Sequence, residues 1–520
     1  MWAIRGRIVA MTQDTTVAPS ESAVFTGRVW IGDDGRIVAV TEGRSAGPPG
    51  SEGATIVDVG TSLVIPGLID LHNHLAYNTL PLWTEPKQQT PFLHHNSWTK
   101  AASYSKATTW PAYALITACP QELLAYVEAK AIVGGTTSIQ GSPPKNKPRN
   151  GWLVRNIDDE SFNSHDPNLI YASVLTMKTA ALADRANKMR NGSVFIYHCS
   201  EGRRGSIVAR EFTDAEQAGC LRPEFVAVHT NAVDPQWYQD WRTPGAVAWS
   251  PFSNLWLYGQ TADVPAARAA GVSVCLGSDW APSGTKQIQG ELKSARLTAD
   301  ALGWTLTDFD IVSMATCLPG DVLQRAWGRQ VGRLQPQAQA DLVVIDAKRG
   351  ADAFDTIVGS TEDDIDLVVI DGIPRYGTDE LTGKAVAASA SGVPAMTTVP
   401  VGRRSMKMLI TQPSNPPATW EWGEIGDRMD EVRTHPRREV EAAQSMFASW
   451  AGKLDRPNAP LRLALDMPTG LGPIGGLPKN LDELVVPPLQ SLTHDAEWLA
   501  SVTGRGFHGG ILDDFARYYH

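Results

Sequence analysis

Two histidines one residue apart, His72 and His74, end the apolar run "GLIDL". On a strand, residues i and i+2 share a face, so both imidazoles can address one point. Three other apolar runs end in the same kind of group. His198 closes "SVFIY" with Glu201 three residues on, His229 closes "EFVAV", and Asp279 follows "GVSVCLGS". Three imidazoles (His72, His74, His198) and the Asp279 carboxylate make a nitrogen/oxygen donor set suited to Zn(II) or Fe(II), with room for a water in a fifth position. Each residue alone has an ordinary explanation, as a core histidine, a chance spacing or a loop cap. Their order at the ends of successive apolar runs is what makes them a candidate site.

The elements that would position these groups alternate. Between residues 66 and 334, apolar strands such as "GGTTSIQ", "LIYASVLT" and "GAVAWSP" are interleaved with helical stretches such as "PQELLAYVEAKAIVG", "KTAALADRANKMRNG" and "TADVPAARAAG". Alternating β and α with fully apolar strands predicts parallel strands covered by helices. The stretch has the size of a (β/α)8 TIM barrel, about 250 residues, whose active sites lie at the C-terminal strand ends. Residues 1–65 read instead as short β-branched strands, with a hairpin signal at Asp33-Asp34-Gly35. That texture returns in 335–412. The simplest topology is a small composite β-sandwich of 1–65 and 335–412 with the barrel inserted between them. Residues 413–520 form a C-terminal extension, partly helical, that packs on the barrel or on a neighbouring subunit.

Composition narrows the function classes. At 520 residues the chain needs more than one core, and 42% hydrophobic with 20% charged residues suits a folded protein. A net charge of -10 argues against a nucleic-acid partner, which calls for a basic face. Five cysteines without pair spacing are no disulfide framework. The start "MWAIRGRIVAMTQD" lacks a signal-peptide core, and no apolar run is long enough to span a bilayer. The expectation is a cytoplasmic enzyme with a small-molecule substrate and no membrane partner.

The same residues resemble the amidohydrolase superfamily, in the branch of cytosine, guanine and methylthioadenosine deaminases and triazine hydrolases. "VIPGLIDLHNH", "HCSEG", "VHTNAVD", "SPFSNLWLYG" and "GVSVCLGSDWAPSG" are similar to successive strand-end motifs of that family, and "DLVVID" to the closing strand of its composite β domain. The resemblance covers about residues 1–375. Asn231 stands where a second histidine is common. The resemblance implies that His72, His74, His198 and Asp279 bind one divalent metal, zinc ahead of iron. It implies that the metal makes a hydroxide available near neutral pH and that Asp279 takes the proton of the attacking water. Glu201 protonates a nitrogen next to the attacked carbon, and His229 hydrogen-bonds the water or the developing oxyanion. Two-metal relatives use a carboxylated lysine after strand four, and Lys178 lies just past "LIYASVLT". The His-x-x-Glu spacing favours one metal.

The function so implied is hydrolytic deamination of a nitrogen heterocycle. The alternative is an amidase, carbamate/ureide or cyclic-amide hydrolase using the same chemistry on a non-peptide C–N bond. A silent metal-binding scaffold is a third class. Tyr77, Asn78 and Trp83 are the candidate substrate contacts, for stacking and polar recognition. Trp98 and Trp110 are further candidates for stacking. Equally, these aromatic residues can pack the loop on the barrel. The segment around them, "PLWTEPKQQTPFLHHNSWTKAASYSKATTWPAY", departs from the family pattern, and its His94 and His95 line the pocket or face water. Arg203 and Arg204 would sit near the mouth. A homo-oligomer is suggested by the resemblance alone.

Overall fold

The computed structural model describes residues 1–13, 24–141, 153–157, 170–173, 176–347, 351–389, 392–412, 418–453 and 477–519. The N-terminal strands are β1 (Trp2–Val9), β2 (Val24–Ile31), β3 (Ile37–Glu42) and β4 (Ile56–Pro66). A second series follows: β5 (Leu68–Asp70), β6 (Thr136–Ile139), β7 (Arg155–Asn156), β8 (Ile170–Ser173), β9 (Val194–Cys199), β10 (Phe225–His229), β11 (Ala246–Trp249) and β12 (Ser273–Leu276). The last are β13 (Leu342–Ile345), β14 (Ile365–Ile370), β15 (Ile373–Gly377), β16 (Thr397–Val401) and β17 (Arg404–Met408).

The second series is parallel. β8 to β12 form one sheet in sequence order, and β5, β6 and β7 form another. The two meet just beyond the ends of β5 and β12. There Leu71 N donates to Leu276 O (3.3 Å), Asp279 N to His72 O (2.9 Å) and His74 N to Asp279 O (2.7 Å). The strands are apolar throughout because both faces are covered. Val194, Ile196, Val226, Val228, Ala246 and Ala248 join one buried cluster, while Phe195, Tyr197, Ala227 and Val247 join another. β7 is a two-residue polar strand that no apolar run announces. The strand expected from "LIYASVLT" is seen at Ile170–Ser173, part of the run lying outside the described residues.

The first and last strands pair with each other. β4 runs parallel to β1 and antiparallel to β13, with Leu342 opposite Pro66 and Ile345 opposite Leu63, so nine strands make one hydrogen-bonded sheet. Period-2 alternation divides its side chains between two cores. Leu63, Ile65, Val343 and Ile345 join the larger one, whereas Val64, Leu342 and Val344 join a separate one. The β2–β3 turn falls at Asp33-Asp34-Gly35, where Gly35 has φ +76° and a Cβ would lie 2.5 Å from Asp371 O, so only glycine fits.

The C-terminal extension packs on its own chain. Pro436 separates two helices, Trp422–Thr434 and Pro436–Lys453. Most of "LRLALDMPTGLGPIGGLPKN" lies outside the described residues. Beyond it, Trp498 and Phe515 pack on Phe252 (ring centroids 5.5 and 6.2 Å apart), and His508 stacks on Trp256 (6.1 Å). Both covered residues belong to the helix Pro251–Tyr258 that follows β11. All five cysteines are buried and free. Among the described residues, no helix is long and apolar enough to cross a membrane.

Candidate active site

The strand ends converge. One ligand atom from each of His72, His74, His198 and Asp279 lies within 4.8 Å of every other, and His198, Glu201 and His229 form a second such group. The backbone is bent to achieve this. Ser200, His229, Thr230 and Asp279 all have φ between +56° and +67°, a left-handed conformation that costs a non-glycine residue of order 1–3 kcal/mol. Such strain concentrates at working sites, and here it turns the side chains at the ends of β9, β10 and β12.

Outer hydrogen bonds fix which nitrogen of His198 and of His72 faces inward. His198 Nδ1 lies 3.3 Å from Ser173 O, a carbonyl that can only accept, so Nδ1 carries the proton and Nε2 presents a lone pair. His72 Nδ1 lies 3.2 Å from Gln140 Oε1, an atom that also accepts from Asn73 N, which identifies it as the amide oxygen. His72 Nε2 is therefore a bare lone pair. It has no hydrogen-bond partner and stands 3.3 Å from Asp279 Oδ1. His74 Nε2 lies 3.5 Å from the same carboxylate oxygen and 3.3 Å from His198 Nε2. Burial pushes the His72 imidazole down to about 4 and His198 well below its ordinary value. Burial works to raise Asp279, but His72 at 3.3 Å and the imidazoles of His229 and His74 outweigh it and bring the carboxyl below its ordinary range. The His72 and His198 rings and this carboxylate thus aim lone pairs at one another. The donor set fits a divalent cation, which would remove that repulsion.

The helix Pro251–Tyr258 serves three strand ends from its eight residues. Ser253 Oγ donates to Asp279 Oδ2 (2.6 Å) and so accepts from Ser283 Oγ (2.8 Å). Asn254 Nδ2 donates to His229 Nδ1 (3.0 Å). The amide orientation is set behind it: Trp249 Nε1 donates to Thr261 Oγ1 (2.7 Å), which donates to Asn254 Oδ1 (3.4 Å). His229 therefore carries its proton on Nε2, which faces Glu201 Oε2 at 3.9 Å. Tyr258 OH accepts from Trp98 Nε1 (2.7 Å) and donates to Glu201 Oε1 (2.6 Å). These supporting residues lie in "SPFSNLWLYG", but residue type and spacing did not reveal the individual contacts.

A carboxyl that delivers a proton near neutral pH works best when it is raised in a dry pocket, and Glu201 differs. Burial does raise it, but the charges of His229 and His95 more than offset that and bring it below its ordinary value. Two candidate substrate contacts, Asn78 and Trp83, spend hydrogen bonds within the protein, and the third, Tyr77, is buried. Asn78 donates to Asn73 Oδ1 (3.0 Å) and accepts from Ala281 N (3.1 Å), tying the β5 end to the loop after β12. Trp83 stacks on Phe92 (5.8 Å) and donates to Ser103 Oγ (3.0 Å). Tyr77 is buried with its ring edge-on to Trp280 (5.3 Å). Lys178 precedes the helix Thr179–Arg190, is exposed, and is not in either ligand group. Arg203 donates to Tyr258 O (3.0 Å), and Arg204 pairs with Asp263 (3.6 Å).

A family model described as "Amidohydrolase family" matches residues 200–374, a span holding Glu201, His229 and Asp279. Over that span the chain is similar to the amidohydrolase family. Among curated relatives, the chain is 24% identical over 392 residues to the 5'-deoxyadenosine deaminase of Methanothermobacter thermautotrophicus, covering 65% of this chain and 87% of that one. It is 25% identical over 404 residues to the 5-methylthioadenosine/S-adenosylhomocysteine deaminase of Symbiobacterium thermophilum, covering 69% and 91%. A solved structure with a similar fold is an adenosine deaminase from Xanthomonas campestris with bound zinc, at TM-score 0.53 and 18% identity, covering 74% of this chain and 97% of that one.

Proposed function

We propose that this protein is an amidohydrolase, a zinc-dependent hydrolytic deaminase of a nitrogen heterocycle. The observation that carries the reading is the convergence of four Lewis-base side chains, with Glu201 and His229 beside them. Deaminase relatives at similar length support the substrate class. In this reading the parallel strands of residues 66–334 close into a (β/α)8 barrel. Residues 1–65 and 335–412 make the composite β-sandwich domain, and 413–520 is an extension.

His72, His74, His198 and Asp279 hold the cation, which when bound makes a water nucleophilic near neutral pH. Asp279 accepts that water's proton, its second oxygen held by Ser253. His229, with its proton on Nε2, hydrogen-bonds the oxygen that develops charge as the ring carbon is attacked. Glu201 delivers a proton to the adjacent ring nitrogen. Near-complete burial of all six groups keeps bulk water out.

Ammonia release from a panel of aminated purines, pyrimidines and triazines tests the reading. At least one member is hydrolysed, the activity disappears on chelation, and zinc restores it. Hydrolysis of cyclic amides or carbamates with no ammonia from any aminated ring would overturn it in favour of acyl C–N chemistry.

A further inference from the structure

We propose that His95 is a positioning residue that holds, between Glu201 and a second buried carboxylate, Glu211, the proton that Glu201 delivers. This rests on the function proposed above. His95 comes from the segment after β5 that departs from the family pattern. Its Nδ1 lies 3.3 Å from Glu201 Oε2 and its Nε2 lies 3.7 Å from Glu211 Oε1. The segment is fastened there by backbone. His95 N donates to Glu201 O (3.2 Å), Arg203 N donates to Leu93 O (2.8 Å), and His94 bridges Gly202. A Cβ on Gly202 would lie 2.7 Å from the His94 Cβ, so the approach depends on glycine. The short helix His95–Trp98 also supplies Trp98, which supports the other Glu201 oxygen through Tyr258. One turn of chain thus braces both oxygens of the proposed proton carrier.

Glu211 has no place in the proposed mechanism. It is buried and accepts from Ser200 N (2.8 Å) and Thr176 Oγ1 (2.6 Å). Two carboxylates flanking a neutral imidazole would bury two negative charges, whereas an imidazolium leaves one. Burial lowers the His95 imidazole, but Glu201 and Glu211 outweigh it and raise it above its ordinary value. The other titratable groups beside the relay are the adjacent His94 and, across the site, His198 and His229; burial lowers His94 and His198. Placed between the two carboxylates, the His95 ring is where their shared proton rests. In the step, the His95 Nδ1–H bond breaks as an O–H bond forms on Glu201 Oε2, and that O–H bond breaks as the substrate N–H bond forms. Glu201 is left ionised beside a neutral ring with its proton on Nε2, facing Glu211. A proton from the next water restores the start.

The test uses the zinc-loaded full chain labelled with 15N-histidine. His95 reads as an imidazolium at pH 7 by its ring nitrogen shifts, and Glu211→Gln, which touches no substrate, makes it neutral. With any aminated ring that is turned over, His95→Gln and Glu211→Gln each lower kcat by about 10- to 100-fold. Both leave KM within about threefold and move the acid limb of the pH profile. In a Glu201→Gln background, His95→Gln has no further effect. A neutral His95 at pH 7, or ring shifts unmoved by Glu211→Gln, would overturn the proposal. An imidazolium that responds to Glu211 in a protein releasing no ammonia from any ring would leave the relay standing and remove the deaminase reading.

Discussion

Two buried polar clusters in this protein are built on opposite principles. Around Arg155, donors meet acceptors. The guanidinium donates to both oxygens of Asp341 and to Asp371 Oδ1, and Asp371 N donates to Asp341 Oδ1 (2.9 Å). The two carboxylates raise Arg155 above its already high value, against the effect of burial. That cluster closes on itself and ties β7 to the start of β13 and to the β14–β15 turn. At the strand ends, the His72 and His198 lone pairs converge with a carboxylate, His72 Nε2 facing Asp279 Oδ1 at 3.3 Å and His74 beside them. Among the described residues, no lysine or arginine is paired with Asp279. The contrast separates a cluster that locks a fold from one shaped to receive a cation, and the orientation of hydrogens decides between them rather than the number of charges.

Breaking the first cluster has the larger effect on stability. Arg155→Leu leaves the buried Asp341 and the half-buried Asp371 without their cation and costs about 3–5 kcal/mol in chemical denaturation. Zinc bound per folded chain stays unchanged. A cost below about 1 kcal/mol would mean that the cluster is not a lock. The smallest effect sharpens the other side. Lys178→Ala, on an exposed residue outside both ligand groups, changes stability by less than about 0.5 kcal/mol and leaves metal stoichiometry as it was. Loss of a second metal equivalent would instead place Lys178 in a two-metal centre.

What the sequence reveals follows from how local each signal is. His72 and His74 are legible because they follow an apolar run two residues apart, although β5 itself stops at Asp70, and His198, His229 and Asp279 because each ends an apolar run. The parallel strands are legible because both of their faces are buried. β7 is missed because two polar residues, Arg155 and Asn156, carry no periodicity. Asn78 was read as a substrate contact, but its acceptor is used by Ala281 N, 203 residues away. Trp83 likewise spends its ring on Phe92. Residue type tells what a side chain can bond, not whether the fold has already bonded it. The roles of Ser253, Asn254 and Tyr258 needed the helix in place to see three partners reached at once. The extension's docking on Phe252 and Trp256 depends on contacts more than 240 residues apart in sequence.

The most direct test is the metal content of the purified wild-type chain beside His198→Ala, measured together with hydrolysis before and after chelation. The account predicts about one equivalent of transition metal per wild-type chain, little in the variant, and activity that falls with the metal and returns with zinc. Wild-type protein that holds no stoichiometric metal and hydrolyses its substrate equally well after chelation would contradict it.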